Sequence, residues 1–256
     1  ALTALVSLPA LAERAHYFRA WQGFKRPDLS ASAFLQTLTP FMGHTVDLYR
    51  DRALSNYLVI IPPAVKPAFV PDEFALVALS SREDYQAIRA TPAGQAYGAA
   101  HWDLFDQATS KSADPMVNFT AERPSQLQHN VSYDVIGTPI DWSQGHNLVY
   151  IGVRKAGVSR ALFLRRLAAH LDLTKRANSP QGLRGYIVIA NQDYEVAFLN
   201  WSSKRAFEAS RSNPRSLAAS ADAAELMELL MLAPAQTFRA GQRVAPGSAY
   251  STISGR

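Results

Sequence analysis

The chain has no cysteine. That excludes a disulfide framework, a thiolate nucleophile, an iron–sulfur cluster and any cysteine-based zinc site. It also fits a reducing compartment, so a cytoplasmic protein is expected. Long apolar runs are missing: no window approaches the roughly 18 unbroken apolar residues of a membrane helix. The apolar start, Ala1–Leu11, lacks the basic n-region of a signal peptide, and Leu5, Leu8 and Leu11 suit a short docking helix. There is no GxGxxG, no Walker-type lysine loop and no Gly-x-Ser-x-Gly elbow. Nucleotide cofactors and serine-hydrolase chemistry are therefore disfavoured. The histidines, at 16, 44, 101, 129, 146 and 170, come without HExxH, His-x-His or a paired carboxylate cluster, so no metal site is expected.

Charge is sparse. Only 18% of residues are charged, with 26 Lys plus Arg against 21 Asp plus Glu, and the net +5 is scattered. No nucleic-acid or membrane partner follows from it. What is present is a globular composition, 48% hydrophobic and 10% aromatic. Its 256 residues suit one large domain or two ordinary ones.

Two passages follow the same order of elements. The first begins with the aromatic strand His16–Phe24. Ser30 then caps a helix carrying Phe34, Leu35, Leu38 and Phe41, which Pro40 and Gly43 are expected to end. Tyr57–Ile61 and Phe74–Leu79 follow as strands on either side of a proline-rich loop. A helix opens at Ser80-Ser81 and runs toward Phe105, and Lys111–Phe119 is a closing strand. The second passage has a strand at Leu148–Arg154 and a Ser159-capped helix with Phe163, Leu164, Leu167 and Leu171. Strands follow at Tyr186–Ala190 and Tyr194–Trp201, then a long helix from Ser202-Ser203 to Leu232, and Ala233–Arg239 closes.

The passages match residue for residue in places. Leu79-Ser80-Ser81-Arg82-Glu83-Asp84-Tyr85 falls on Trp201-Ser202-Ser203-Lys204-Arg205-Ala206-Phe207, and Thr91-Pro92 falls on Asn213-Pro214. Each reads β-α-β-β-α-β, the ferredoxin-like order. Such a sheet covers one face with helices and leaves the other bare, and the bare face needs a partner. The expectation is an α+β fold of two tandem ferredoxin-like repeats forming an intrachain dimeric α+β barrel. Its parts are an N-terminal helical segment over 1–14, a first repeat over 15–120, a linker over 121–146, a second repeat over 147–240 and a C-terminal tail over 241–256.

Leu148-Val149-Tyr150-Ile151-Gly152-Val153-Arg154-Lys155-Ala156-Gly157-Val158-Ser159, followed by Phe163-Leu164, Leu167 and His170, resembles the EthD-type opening of the dimeric α+β barrels. Phe24-Lys25-Arg26-Pro27-Asp28-Leu29-Ser30 with Phe34 resembles it in the first passage. There Phe41 takes the place of the histidine, and His44 comes three residues later. The resemblance spans most of 16–120 and 147–240. It implies relatives among cofactor-free monooxygenases of the antibiotic-biosynthesis type, polyketide cyclases, decarboxylases, haem enzymes and members without known activity.

The candidate catalytic residues are His101, His170, Arg19 and Tyr17. His170 is the one the resemblance singles out, as general base or haem ligand; its place beside Phe163 and Leu167 also suits a plain helix histidine. His101 shares a helix stripe with Tyr97 and Phe105, which suits proton transfer or simple packing. On the first strand Tyr17, Arg19 and Trp21 share one face, a combination that fits the wall of a cavity for a flat ligand with anionic character. Trp21, Tyr57, Tyr97, Trp102, Tyr186 and Asn191 are the candidate substrate-binding residues.

The function expected is cofactor-independent cyclisation, dehydration or oxygenation of a hydrophobic aromatic or polyketide-like small molecule. No cofactor is expected, and haem stays open. A His-ligated haem enzyme and a non-catalytic binding or scaffold barrel remain as alternatives, and a homodimer stays open.

Overall fold

The computed structural model describes residues 17–50, 54–238 and 243–252. The expected N-terminal helix over 1–14, and His16, lie outside the described residues.

The first half holds β1 (Tyr17–Gly23), α1 (Ala31–Tyr49), β2 (Leu54–Ile61), β3 (Glu73–Leu79), α2 (Arg82–Ala90), α3 (Pro92–Leu104) and β4 (Lys111–Ser112). A bridging segment holds β5 (Met116–Asn118), α4 (Phe119–Glu122) and β6 (Val131–Asp134). The second half holds β7 (His146–Arg154), α5 (Arg160–Asn178), β8 (Leu183–Ala190), β9 (Tyr194–Trp201), α6 (Lys204–Ser210), α7 (Pro214–Leu226) and β10 (Met227–Thr237), and β11 (Ser248–Ser251) ends the described chain.

Several elements differ from the sequence expectation. α1 passes through Pro40 and Gly43 to Tyr49, because tertiary packing of Phe41, Met42, Thr45, Val46 and Tyr49 outweighs the local breakers. Each long second helix is divided in two. Thr91 and Asn213 act as new N-caps with a proline at the first helical position, where its missing N–H costs nothing. The strand expected over Lys111–Phe119 is two strands. The expected linker contains β6, and the expected tail contains β11.

All eleven strands join one mixed sheet in the order β4-β1-β3-β2-β11-β10-β7-β9-β8-β6-β5. The first half contributes β4-β1-β3-β2 and the second β10-β7-β9-β8, the same order of pairing. β11 fills the seam between β2 and β10, pairing antiparallel with one and parallel with the other. β4 and β5 stand at opposite ends of the sheet, yet only residues 113–115 connect them. At about 3.3–3.6 Å per residue that link is too short to span an open sheet of eleven strands. The sheet therefore curls until its ends meet.

Strand alternation sorts the side chains into three cores. Phe18, Ala20, Leu58, Ile60, Phe74 and Leu76 meet Val149, Ile151, Ile187, Ile189, Val196 and Phe198 in the inner core, to which both halves contribute. Tyr57, Val59, Ala75 and Leu79 face α1 and α3, with Phe34, Leu38, Phe41 and Tyr97. Leu148, Tyr186, Val188 and Ala197 face α5 and α7, with Phe163, Leu167 and Leu171. Burial on both faces explains why β2, β3, β8 and β9 are nearly continuous apolar runs. A polar tie crosses the inner core, where Tyr194 donates its O–H to Gln22 Oε1 at 2.5 Å.

Candidate functional site

Since the inner core is filled by both halves, the cavities of interest lie in the outer layers, one between each half's strands and its helices. The cavity of the first half has a volume of about 190 Å³. That is room for one aromatic ring; dry cavities of about 150 Å³ hold benzene. The cavity of the second half measures about 430 Å³, inside the roughly 300–1,000 Å³ typical of ligand pockets.

The first-half cavity gathers Arg19, Trp21, Tyr57, Tyr97, His101 and Trp102 from the sequence candidates. His101 sits among rings: its centroid is 4.7 Å from Phe41 and from Tyr97 and 5.2 Å from Trp21. Its Nδ1 is 2.9 Å from the Tyr97 carbonyl. A carbonyl only accepts, so Nδ1 carries the proton and Nε2 keeps the lone pair. Burial lowers the imidazole pKa to about 4, so the ring is neutral at physiological pH. Tyr97 exchanges a 2.8 Å hydrogen bond with Thr45. Arg19 bonds both carboxylate oxygens of Asp114 at 2.8 Å and Ser112 Oγ at 2.7 Å, and lies over the Tyr85 ring.

Two sequence candidates stand elsewhere. Tyr17 packs on Tyr85, 5.6 Å between centroids, and lines not this cavity but a neighbouring one that it shares with Arg19 and Asp114. Asn191 closes the turn between β8 and β9. Its Oδ1 accepts from the Asp193 N–H within the turn and its Nδ2 donates to Asn130 just before β6, so both polar atoms are engaged.

The second-half cavity contains His170 and Tyr186. His170, on α5, is 6% exposed. Its Nδ1 is 2.8 Å from Asp222 Oδ2, on α7, and its Nε2 is 3.2 Å from Thr174 Oγ1. The carboxylate can only accept, so the proton is on Nδ1 and Nε2 is the basic nitrogen. Arg166 holds Asp222 from the other side at 3.3 Å. Tyr186 donates to Glu195 Oε1 at 3.3 Å, and Glu195 Oε2 is buried without a partner. Burial raises the Glu195 carboxyl above the usual range, with the nearby His170 acting against it. The remaining wall is mostly apolar but also holds Asn178, Ser210, Arg211, Ser216 and Ser220, and Leu217, Leu229 and Leu232 form an exposed apolar rim.

Glu195 has a counterpart that sequence reasoning missed. Glu73 lies on β3 opposite Gly23, and Glu195 lies on β9 opposite Gly152. Tyr57 pairs with Val77 and Tyr186 with Leu199, two residues before the ends of β3 and β9. Thr45 follows its cap Ser30, and Thr174 its cap Ser159, at the same interval, which also sets His170 in the place of Phe41. Glu73 is 1% exposed, and burial pushes its carboxyl up to about 8. The Trp21 indole pulls weakly the other way, but its approach falls short of a hydrogen bond: Trp21 Nε1 and Glu73 Oε2 are both buried without partners. The signal was available. One carboxylate stands in each of two apolar strand runs, at the same place. Asp222 gave no such signal, because its contact with His170 exists only after α5 and α7 pack.

Fold and cavities together define an α+β protein with a rolled mixed sheet and a helix-covered cavity on each half. No family model matches the chain, and no curated protein matches it. Among solved structures, it is similar to a candidate monooxygenase from Fusobacterium nucleatum, with 9% identity over 84% of this chain and 92% of that one and a TM-score of 0.43. An anthrone oxidase-like protein shares 12% identity over 89% and 94%, with a TM-score of 0.36. A cofactor-independent oxygenase from Streptomyces nogalater shares 14% over 39% of this chain and 98% of its own, with a TM-score of 0.28. Likeness at this level defines neither a family nor an activity. Among the described residues no helix is long and apolar enough to cross a membrane.

Proposed function

We propose that the chain is a duplicated ferredoxin-like, intrachain α+β barrel whose second-half cavity performs cofactor-independent acid–base chemistry on an aromatic or polyketide-like ketone. The observation that carries this reading is the arrangement of His170 between Asp222 and Thr174, on the wall of a largely apolar cavity of about 430 Å³ that also contains the partnerless Oε2 of Glu195.

Asp222 fixes the imidazole with Nδ1 protonated, so Nε2 is the atom that takes a proton. The proton leaves a carbon next to the substrate carbonyl, and the bonding pair moves onto the carbonyl oxygen. Glu195, whose burial favours the protonated carboxyl, donates from Oε2 to that oxygen as charge develops. The resulting enol or enolate is the common starting point for cyclisation, loss of water or reaction with dioxygen. The apolar side chains of the wall hold the rings in place.

Haem ligation has less support. The His101 ring sits in a cavity of single-ring size.

Exchange of an acidic C–H tests the proposal. Anthrone in D2O buffer, followed by proton NMR, should lose its methylene signal faster with the protein than in buffer alone. His170→Ala should reduce that acceleration by about 10²-fold or more. Equal exchange by wild type and a folded His170→Ala would contradict the assignment.

A further inference from the structure

The acid–base reading leaves the first-half cavity unused, although it too is built for a ligand. We propose that it is a separate binding site for a single-ring aromatic carboxylate that carries a hydroxyl opposite the carboxylate.

Size comes first. About 190 Å³ matches one ring rather than a fused ring system. The walls come next: Trp21, Phe41, Tyr97 and His101 surround the space with ring faces and edges, with centroids 4.7–5.2 Å apart along Trp21–His101, Phe41–His101 and Phe41–Tyr97. A flat ring entering this box gains edge-to-face and stacked contacts on several sides.

Polarity sets the ligand's ends. Arg19 lies over the Tyr85 ring, Tyr85 stacks on Tyr49, Tyr49 meets Tyr97 edge-on and Arg89 lies over Tyr97, so one aromatic cluster carries both guanidiniums; Arg19 stands opposite Val77 on β3, away from Glu73 at the start of that strand. Arg19 is matched by Asp114. Among the described residues Arg89 is matched by no acid: its guanidinium meets the Gly94 carbonyl at 2.6 Å and the Tyr97 ring face at 5.7 Å. A carboxylate is the group that a guanidinium binds best, through paired N–H donors. Elsewhere on the wall stand Glu73 and the Trp21 indole. Glu73 Oε2 and Trp21 Nε1 are buried, polar and partnerless. Such atoms are costly to leave unbonded, and a ligand hydroxyl can accept from the indole N–H and bond the carboxyl at the same time.

The second half lacks this set. Leu148 stands where Arg19 does, opposite Leu199, and Tyr150 stands where Trp21 does, opposite Ala197. The inference is therefore independent of the chemistry assigned to His170.

Binding of 4-hydroxybenzoate, benzoate and the neutral 4-hydroxybenzyl alcohol to the whole chain, by calorimetry and tryptophan fluorescence, tests it. The expected result is saturable 1:1 binding of 4-hydroxybenzoate, at least about tenfold tighter than the alcohol and tighter than benzoate. Arg89→Gln should weaken the two acids about tenfold or more and leave the alcohol unchanged, while His170→Ala should bind 4-hydroxybenzoate like wild type. The acid-to-alcohol ratio on the wild-type protein holds even if a variant fails to fold. Absence of saturable binding, an alcohol as tight as the acid, or binding lost in His170→Ala but kept in Arg89→Gln would overturn the proposal.

Discussion

Glu73 and Glu195 occupy the same place in the two halves: each lies on the central strand of its half, directly opposite a glycine of the neighbouring strand, Gly23 or Gly152. Both are buried, and each keeps one oxygen without a partner. Two carboxyls held this way are a liability for folding, because an oxygen left without a partner is not repaid for its loss of water. Their retention in both halves marks the two cavities more plainly than any histidine does.

The first prediction concerns stability against pH. The folded pKa of Glu73 is raised from its ordinary 4.5 to about 8, so the folded state holds a proton that the unfolded state releases. Stability contributed by this group is present below the unfolded value and falls as pH rises toward 8. His101, lowered from 6.5 to about 4, has the opposite slope between those values. The net loss is therefore clearest above the ordinary histidine range. Glu73→Gln should gain on wild type by on the order of 2–4 kcal/mol between about pH 5 and about pH 8. Urea unfolding at three pH values measures it.

The second concerns the partner of His170. Asp222→Asn keeps size but no longer favours the tautomer with Nδ1 protonated. Anthrone exchange should slow about 10–100-fold with the melting temperature little changed, whereas substituting Glu225, which bonds Arg166 on the exposed side, should leave the rate intact. Deuterium exchange rates for the two variants check this.

The third concerns the space beside Glu73. A Cβ on Gly23 would come within 2.4 Å of Phe105 Cε1 and 2.7 Å of Trp21 Nε1. Both rings are packed, so neither yields freely. Gly23→Ala should cost about 1–3 kcal/mol and weaken 4-hydroxybenzoate binding, read from chemical denaturation and calorimetry on the same sample.

The fourth concerns the tie between halves. Tyr194→Phe removes the hydroxyl that donates to Gln22 and leaves the amide of a 2%-exposed side chain without its partner. A loss of about 1–3 kcal/mol is expected. Unfolding should stay a single transition, since the inner core still joins the halves; two resolved transitions would count against a shared core.

Much of this was legible beforehand. Ser30, Ser81, Ser159 and Ser203 all cap helices as their positions suggest. Trp21, Tyr57, Tyr97 and His101 do converge on one cavity, because strand alternation and four-residue helix spacing survive folding. Other features had no local signal. Pro40 lies inside α1 because its neighbours are buried, a tertiary effect. β11 completes the sheet from a segment that looks like a tail, since only the seam between β2 and β10 gives it partners. Asp222 and Arg89 acquire their roles from neighbours far away in sequence.

The most direct test of the account is the protonation of His170 itself. Long-range proton–nitrogen NMR of histidine-labelled protein, with the His170 signal assigned by its loss in His170→Ala, reports which ring nitrogen carries the proton. The account predicts that, with the ring neutral, Nδ1 is protonated and Nε2 is bare, and that the Nε2 signal shifts when anthrone is added. A neutral ring protonated on Nε2, or an Nε2 signal indifferent to anthrone at saturating concentration, would contradict the claim that this nitrogen is presented to the substrate.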